Sequence, residues 1–208
     1  MPQPLSRRDV LHRCATLGLL LAAPTIPGSI AEAFADAESG RRQPTPPNAL
    51  GPFYRRGAPD GSDLRGATDS GLPLIVTGAV IDTRGEARPD ATVEVWQADH
   101  FGHYDIEGYR YRATLAPDAK GGYEFTSVMP GHYPDRVAQH VHYMVKAPGC
   151  KPLVTQLYFA TDPAFAGDPE HNYVKDPILE DRRLIRPVTL GETGGPQAAV
   201  VFDTVLRT

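Results

Sequence analysis

Residues 138 to 144 read AQHVHYM, placing His140 and His142 two positions apart. In a β-strand successive side chains point to opposite faces, so the two imidazoles share one face, one pleat apart. Such a pair can grip one metal ion, or it can be two polar residues on a solvated strand. Val141, Tyr143 and Val145 occupy the opposite face, while Ala138 and Met144 accompany the histidines. Neither face is cleanly polar, so the histidines are expected to look into a sandwich or its mouth. A buried imidazole then needs a hydrogen bond or a metal. Two tyrosines stand nearby in revealing places: Tyr133 in MPGHYPD, before His140, and Tyr104 in WQADHFGHYD, just past a strand. Each sits where the chain leaves a sheet, as site residues on a rigid scaffold tend to. From the residues alone three readings stay open. The tyrosines and histidines form one metal site; the His-x-His pair holds zinc or copper with His100, His103 or His132; or the chain is a β-sandwich module that binds a carbohydrate or a partner without catalysis.

The elements that must position these residues read as β. PLIVTGAVID (73–82), TVEVWQA (92–98), YEFTSV (123–128), QHVHYMVKA (139–147), LVTQLYFA (153–160) and AAVVFDTVL (198–206) are rich in β-branched and aromatic residues. Turn signals such as TRGEARPD, DAKGG and APGCKP separate several of them. After the first residues no window of useful length carries clean helical periodicity. The expected fold is therefore all-β, an antiparallel β-sandwich with long irregular loops. FAGDPEHNYVKDPILEDRR is long for a hairpin connection and is expected to wrap across the surface.

The first residues set the compartment. MPQPLSRRDVLHR is a positive n-region, and CATLGLLLAAPTIPG is an apolar stretch too short for a bilayer, which takes about 20 residues. Ala33-Phe34-Ala35 offers a small-x-small cleavage site, and Arg7-Arg8 in SRRDVL reads as a twin-arginine export signal. The expected organisation is a signal over 1–35, a flexible Pro-rich lead-in over 36–49 and a β-sandwich domain over 50–208, periplasmic or secreted. Removing the signal takes away three arginines and two acids from a chain of net charge −4, leaving −5. That balance invites neither nucleic acid nor an acidic membrane surface, and no membrane span is expected. Cys14 leaves with the signal, so Cys150 has no intrachain partner. Without a thiol pair, any metal sits on nitrogen and oxygen.

LGPFYRRGAP (50–59), VTGAVIDTRGEARPDATVEVWQADHFGHY, GGYEFTSVMPGHYP, HVHYMVKAPG and LVTQLYFATDP (153–163) together cover over half the chain. In this order they resemble the intradiol ring-cleavage dioxygenases, the family of protocatechuate 3,4-, catechol 1,2- and hydroxyquinol 1,2-dioxygenases. Carried over by position, the resemblance implies Fe(III) held by Tyr104, Tyr133, His140 and His142. It implies a catechol-type substrate cleaved with O2 between its two hydroxyl-bearing carbons, to cis,cis-muconate-type products without an external reductant. Tyr133 would leave the metal when substrate binds and help accept a substrate proton. Gln156 matches the glutamine that contacts the reacting region, and Gly51 and Pro52, with Tyr54, match the segment lining the substrate cavity. A homo-oligomer is compatible with the resemblance. Phenolate is a hard donor and imidazole a borderline one, a mixture suited to ferric iron. A tyrosine with pKa near 10 ionises near neutrality only beside such a cation. The family's usual arginine, three residues before the first histidine, is replaced here by Val137, and Arg136 stands four before. A bulge or turn in YPDRVAQ can restore its direction, so Arg136 is expected to point into the cavity and stabilise developing charge.

Overall fold

The computed structural model describes residues 41–208 apart from 67, 134, 135 and 192–194, with the backbone alone described at 169 and 170. The export segment expected over 1–35 lies outside the described residues. Ten strands follow in order: β1 Pro73–Asp82, β2 Thr92–Trp96, β3 Arg112–Leu115, β4 Gly122–Val128, β5 His140–Lys146, β6 Leu153–Phe159, β7 Ile185–Arg186, β8 Thr189–Gly191, β9 Gln197–Val201 and β10 Thr204–Leu206. They make two sheets. In sheet one β1 is central, antiparallel to β4 on one side and parallel to β9 and β10 on the other, with β8 beyond β9. Sheet two runs β3-β2-β5-β6-β7. The expected sandwich is present, but its sheets are mixed rather than purely antiparallel, because β1–β9, β1–β10 and β6–β7 pair in parallel.

The two sheets meet through alternate residues of each strand. Val141, Tyr143 and Val145 of β5 are 0% exposed, and the Tyr143 ring lies 6.3 Å from Phe125 and 4.9 Å from Phe202 of the opposite sheet. Each such side chain contributes about 1.5–3 kcal/mol by leaving water. Because the strand period is two, this packing commits His140 and His142 to the other face of sheet two. That corrects the expectation that they look into the sandwich. They lie on its outside and are buried by loops.

An extended strap does much of that covering. Residues 41–49, expected to be mobile, are instead pinned: Thr45 N–H donates to Val205 O of β10 and Asn48 N–H to Val154 O of β6. On the far side, Gly61 N–H donates to Thr114 O of β3 and Leu64 N–H to Thr126 O of β4. The strap thus ties one sheet to the other at both edges, capping backbone groups that would otherwise be open. Its middle, from Gly51 to Tyr54, crosses the outer face of sheet two. The segment after β6 carries only short helical turns, Pro163–Phe165, Pro169–Asn172, Tyr173–Lys175 and Arg182–Leu184. It buries Phe165, Leu179 and Leu184, so it is anchored to the core rather than draped over it.

Candidate metal centre

Register across sheet two assembles the floor of the site. His142 lies opposite Trp96 of β2 and Gln156 of β6, while His140 lies opposite Tyr158. The Trp96 and His142 rings stack at 4.9 Å, inclined by 1°. Above His142 the strap passes at Gly51, whose φ of +73° favours glycine and where a Cβ would come within 2.9 Å of His142 Cε1. His142 is 0% exposed, and neither ring nitrogen meets a partner at hydrogen-bond geometry, although the Ala49 backbone lies near enough to favour its protonated form. Its neighbour His140 differs: Nδ1 donates to Ala138 O at 2.8 Å, leaving Nε2 with the lone pair, 3.3 Å from the Tyr104 hydroxyl.

The two tyrosines descend on loops that interlock. A Cβ on Gly102 (φ +87°) would overlap the His132 carbonyl, and one on Gly131 would come within 2.5 Å of Gly102 N and His100 O. This brings the Tyr104 and Tyr133 rings to 5.7 Å, edge to face, with Tyr133 5.8 Å from His140 and Tyr104 6.2 Å from His142. Phe53 completes the wall, stacked on Tyr104 at 4.2 Å. Arg112 clamps this wall by donating to Phe53 O at 2.6 Å and Asp105 O at 2.9 Å.

Burial sets the electrostatics. Desolvation, with the nearby Arg136 charge, pushes His140 down to about 3, and desolvation holds His142 well below its ordinary value. Both imidazoles are therefore neutral and able to ligate. Desolvation also raises Tyr104 and Tyr133, and a Tyr133 phenolate would in addition repel one on Tyr104. Without a cation both phenols keep their protons. These residues fit a metal: His142 has two buried nitrogens with no partner at hydrogen-bond geometry, Gly51 leaves the space beside its ring, the Tyr104 hydroxyl lies 3.3 Å from the lone pair of His140, and the Tyr133 ring lies 5.8 Å from the His140 ring.

Arg136 turns inward. Its amide donates to Tyr133 O at 3.0 Å, and its guanidinium lies 3.3 Å from His140 Nε2. It also donates to Gln156 Oε1 at 3.0 Å and the Tyr158 hydroxyl at 2.7 Å. Gln156 in turn donates to Ala49 O at 2.6 Å, tethering the strap just before Gly51. Of the strap residues expected at the cavity, Gly51 lies on His142. Pro52 is exposed in an outer cleft of about 340 Å³ with Phe53 and Arg112. Tyr54 is engaged elsewhere, its hydroxyl on Glu94 at 2.9 Å and its ring 5.1 Å from Trp96. The aromatic that reaches the tyrosine pair is Phe53. His100, His103 and His132, considered as extra ligands, are placed otherwise. His100 bonds Ser70, the His103 side chain is 79% exposed, and His132 Nε2 is 3.0 Å from Asp162 Oδ2.

Sequence reasoning missed Phe53, Trp96, Tyr158 and Asp176. It also passed over a legible signal: Gly-His-Tyr occurs at 102–104 and again at 131–133, once per tyrosine loop.

Comparison with known proteins bears on the same residues. The Dioxygenase family model matches residues 50–208, more than half of the chain and all of the site. The chain belongs to the intradiol dioxygenase family. Hydroxyquinol 1,2-dioxygenase of Nocardioides simplex is 34% identical over 190 residues, covering 78% of this chain and 64% of that protein. Hydroxyquinol 1,2-dioxygenase of Rhodococcus opacus is 35% identical over 162 residues, covering 66% and 53%. The chain thus spans between about half and two thirds of these curated relatives. Among solved structures, the dioxygenase domain of a dioxygenase carbohydrate-binding protein fusion from Streptomyces sp. SirexAA-E superimposes with a TM-score of 0.70 at 31% identity. The match covers 80% of this chain and 99% of that domain. Catechol 1,2-dioxygenase from Pseudomonas arvilla C-1 gives a TM-score of 0.68 at 27% identity, covering 86% and 67%. Among the described residues of this family member, no helix is long and apolar enough to cross a membrane.

Proposed function

We propose that the protein is an Fe(III)-dependent intradiol dioxygenase. It would open catechol-type aromatic rings with O2 between the two hydroxyl-bearing carbons, giving cis,cis-muconate-type products. One observation carries the reading: His142, 0% exposed and with no partner at hydrogen-bond geometry on either nitrogen, faces a space shared with His140, Tyr104 and Tyr133. Tyr104, Tyr133, His140 and His142 would hold the ion, a donor set of the kind ferric iron prefers. When bound, iron supplies the positive charge that ionises the phenols and the substrate diol and makes the ring reactive toward O2.

The remaining work belongs to the chain. The Nδ1–H of His140, committed to Ala138 O, keeps Nε2 aimed at the metal. Tyr104 is stacked on Phe53, while the Tyr133 ring meets Phe53 and Tyr104 edge-on and its hydroxyl, beside the Arg136 guanidinium, would be the one to take a diol proton. Arg136 sets a fixed cation beside His140, where negative charge builds on oxygen as the ring opens. Such a donor is worth about 3–4 kcal/mol. Gln156 holds that guanidinium and, through Ala49, the strap that excludes water above His142. The Arg7-Arg8 pair and the apolar run after it support export by the twin-arginine route to the periplasm or beyond.

The deciding experiment is iron analysis and an optical spectrum of the full chain, then oxygen uptake with a catechol panel. Stoichiometric iron, a phenolate-to-iron charge-transfer band and muconate-type absorbance without added reductant are expected. A folded, colourless protein that excludes iron, or a yellow semialdehyde product, would overturn the reading.

A further inference from the structure

Arg136 reaches the site one residue out of the family's usual frame, and a regular strand would turn it to the opposite face. The group that corrects this is a carboxylate on a distant segment. Asp176 closes the Tyr173–Lys175 turn and is 1% exposed. Its Oδ1 accepts from its own turn, the Ile178 amide, at 3.0 Å. Its Oδ2 is 3.3 Å from Arg136 Nη2 and accepts from the Ala138 amide, also at 3.3 Å. Val137, between those two residues, is 43% exposed. The extra residue is looped outward, and one carboxylate oxygen grips the chain on both sides of it.

We infer that Asp176 is the positioning residue of this site: it aims the Arg136 guanidinium and, through the Ala138 peptide, orients His140. The second half follows from the next bond, since the Ala138 carbonyl accepts from His140 Nδ1 at 2.8 Å. The catalytic consequence rests on the dioxygenase reading above. Asp176 is the one carboxylate in ion-pair range of Arg136 among the described residues. The other acceptors on the guanidinium, Gln156 and Tyr158, are neutral. A buried guanidinium stripped of its counter-charge is strongly disfavoured where it stands. Without Asp176 it has reason to leave, toward water or toward the next available anion. The sequence shows none of this, because Asp176 lies in the irregular stretch NYVKDPILED, where nothing in the spacing points to the site.

The test uses the iron-loaded full chain. Arg136→Ala is expected to lower kcat about a hundredfold or more. Asp176→Ala should lower it by about ten- to a hundredfold, with iron stoichiometry as in wild type. Anaerobic catechol affinity, read from the charge-transfer band, should change far less than kcat. The double variant should lose far less than the product of the two single losses, because Asp176 acts mainly through Arg136 and only its link through Ala138 to His140 is left to remove. A double variant whose loss is the product of the two single losses overturns the inference, as does normal turnover by the iron-loaded Asp176 variant. If Asp176→Ala does not fold, Asp176→Asn, which keeps the shape and one acceptor oxygen but not the charge, replaces it in every arm. Should wild-type protein loaded with iron open no catechol, the dioxygenase reading fails on its own. The positioning inference is then decided by crystal structures. A guanidinium displaced from Gln156 and Tyr158 in the variant supports it, and one still seated on both overturns it.

Discussion

The two tyrosines reach the site on loops with the same three residues, Gly-His-Tyr, yet the loops are held in different ways. The Tyr104 loop closes through its own carboxylates, with Arg55 and Arg112 donating to its Asp105, Ile106 and Glu107 carbonyls from outside. Asp99 Oδ1 accepts from the Phe101 and His103 amides, and Asp105 accepts from Glu107, Gly108 and Arg110. The His103 side chain is left in solvent. The Tyr133 loop depends on remote partners. Gly131 N–H donates to Asp99 O, Gln139 Nε2 to Pro130 O, and His132 is taken by the buried Asp162. The lesson is a division of labour. A loop closed by its own Asp-capped turns gives the tyrosine proposed to stay on the metal. A loop suspended from several neighbours gives the one proposed to move.

The largest effect should come from breaking the contact that joins the loops. Gly102→Ala puts a side chain at φ +87° and into the His132 carbonyl. Backbone strain alone costs about 1–3 kcal/mol, or a fall in Tm of roughly 2–10 °C for a domain of this size, and iron should be lost with it. A variant that melts and binds iron like wild type would mean that the interlock is not needed.

Substituting each tyrosine sharpens the contrast. Tyr104→Phe should alter the charge-transfer band in both resting and catechol-bound protein, whereas Tyr133→Phe should alter the resting band alone. Each should slow turnover by about a hundredfold or more. Identical spectral consequences would erase the proposed difference between the loops.

A smaller effect is expected from Asp162, whose Oδ2 accepts from the Gln139 amide as well as binding His132. Asp162→Ala should weaken iron binding by about 10- to 100-fold, measured by competition with a chelator. The corresponding change at Asp99, which pins the Tyr104 loop, should cost less iron affinity.

The smallest concerns a site remote from both loops. Asp82 has a side chain that is 0% exposed; burial alone would raise its carboxyl, but Arg84 and the Arg84 and Glu86 amides outweigh that and hold it below the usual range. A carboxyl depressed in the folded state contributes stability above its unfolded value near 4. That contribution is lost as pH falls through the folded value. Asp82→Asn should therefore lower stability at pH 7 by about 1–2 kcal/mol, with the difference shrinking in acid melts. Iron binding should be unchanged. If this variant also loses iron, loss of iron reports general destabilisation, and the loop comparison loses its force.

Much of this was legible beforehand for local reasons. Strand 73–82 was read with its observed bounds because two β-branched clusters, Ile75 to Thr77 and Val80-Ile81, lie close together ahead of a clear turn signal. The His-x-His pair was assigned to one face because the strand period leaves no choice. Strand β3 was missed because four residues, RATL, carry too little pattern, and the run 198–206 was read as one strand although Phe202 and Asp203 divide it. The strap was misjudged because its Pro-rich composition resembles a linker. Its order comes from hydrogen bonds to β6 and β10, distant in sequence.

The sequence by itself supplied the candidates: histidine and tyrosine side chains offering nitrogen and oxygen donors for the proposed metal, and an all-β scaffold to carry them. Residue type and a period of two are local properties, readable without a fold. Tertiary structure alone decided on which side of the sheet the histidines lie, since that depends on which face the second sheet covers. It also decided that Phe53 rather than Tyr54 meets the tyrosines. And it decided that Arg136, one residue out of register, still faces inward, because Asp176 is brought beside it by a packing arrangement no local pattern encodes.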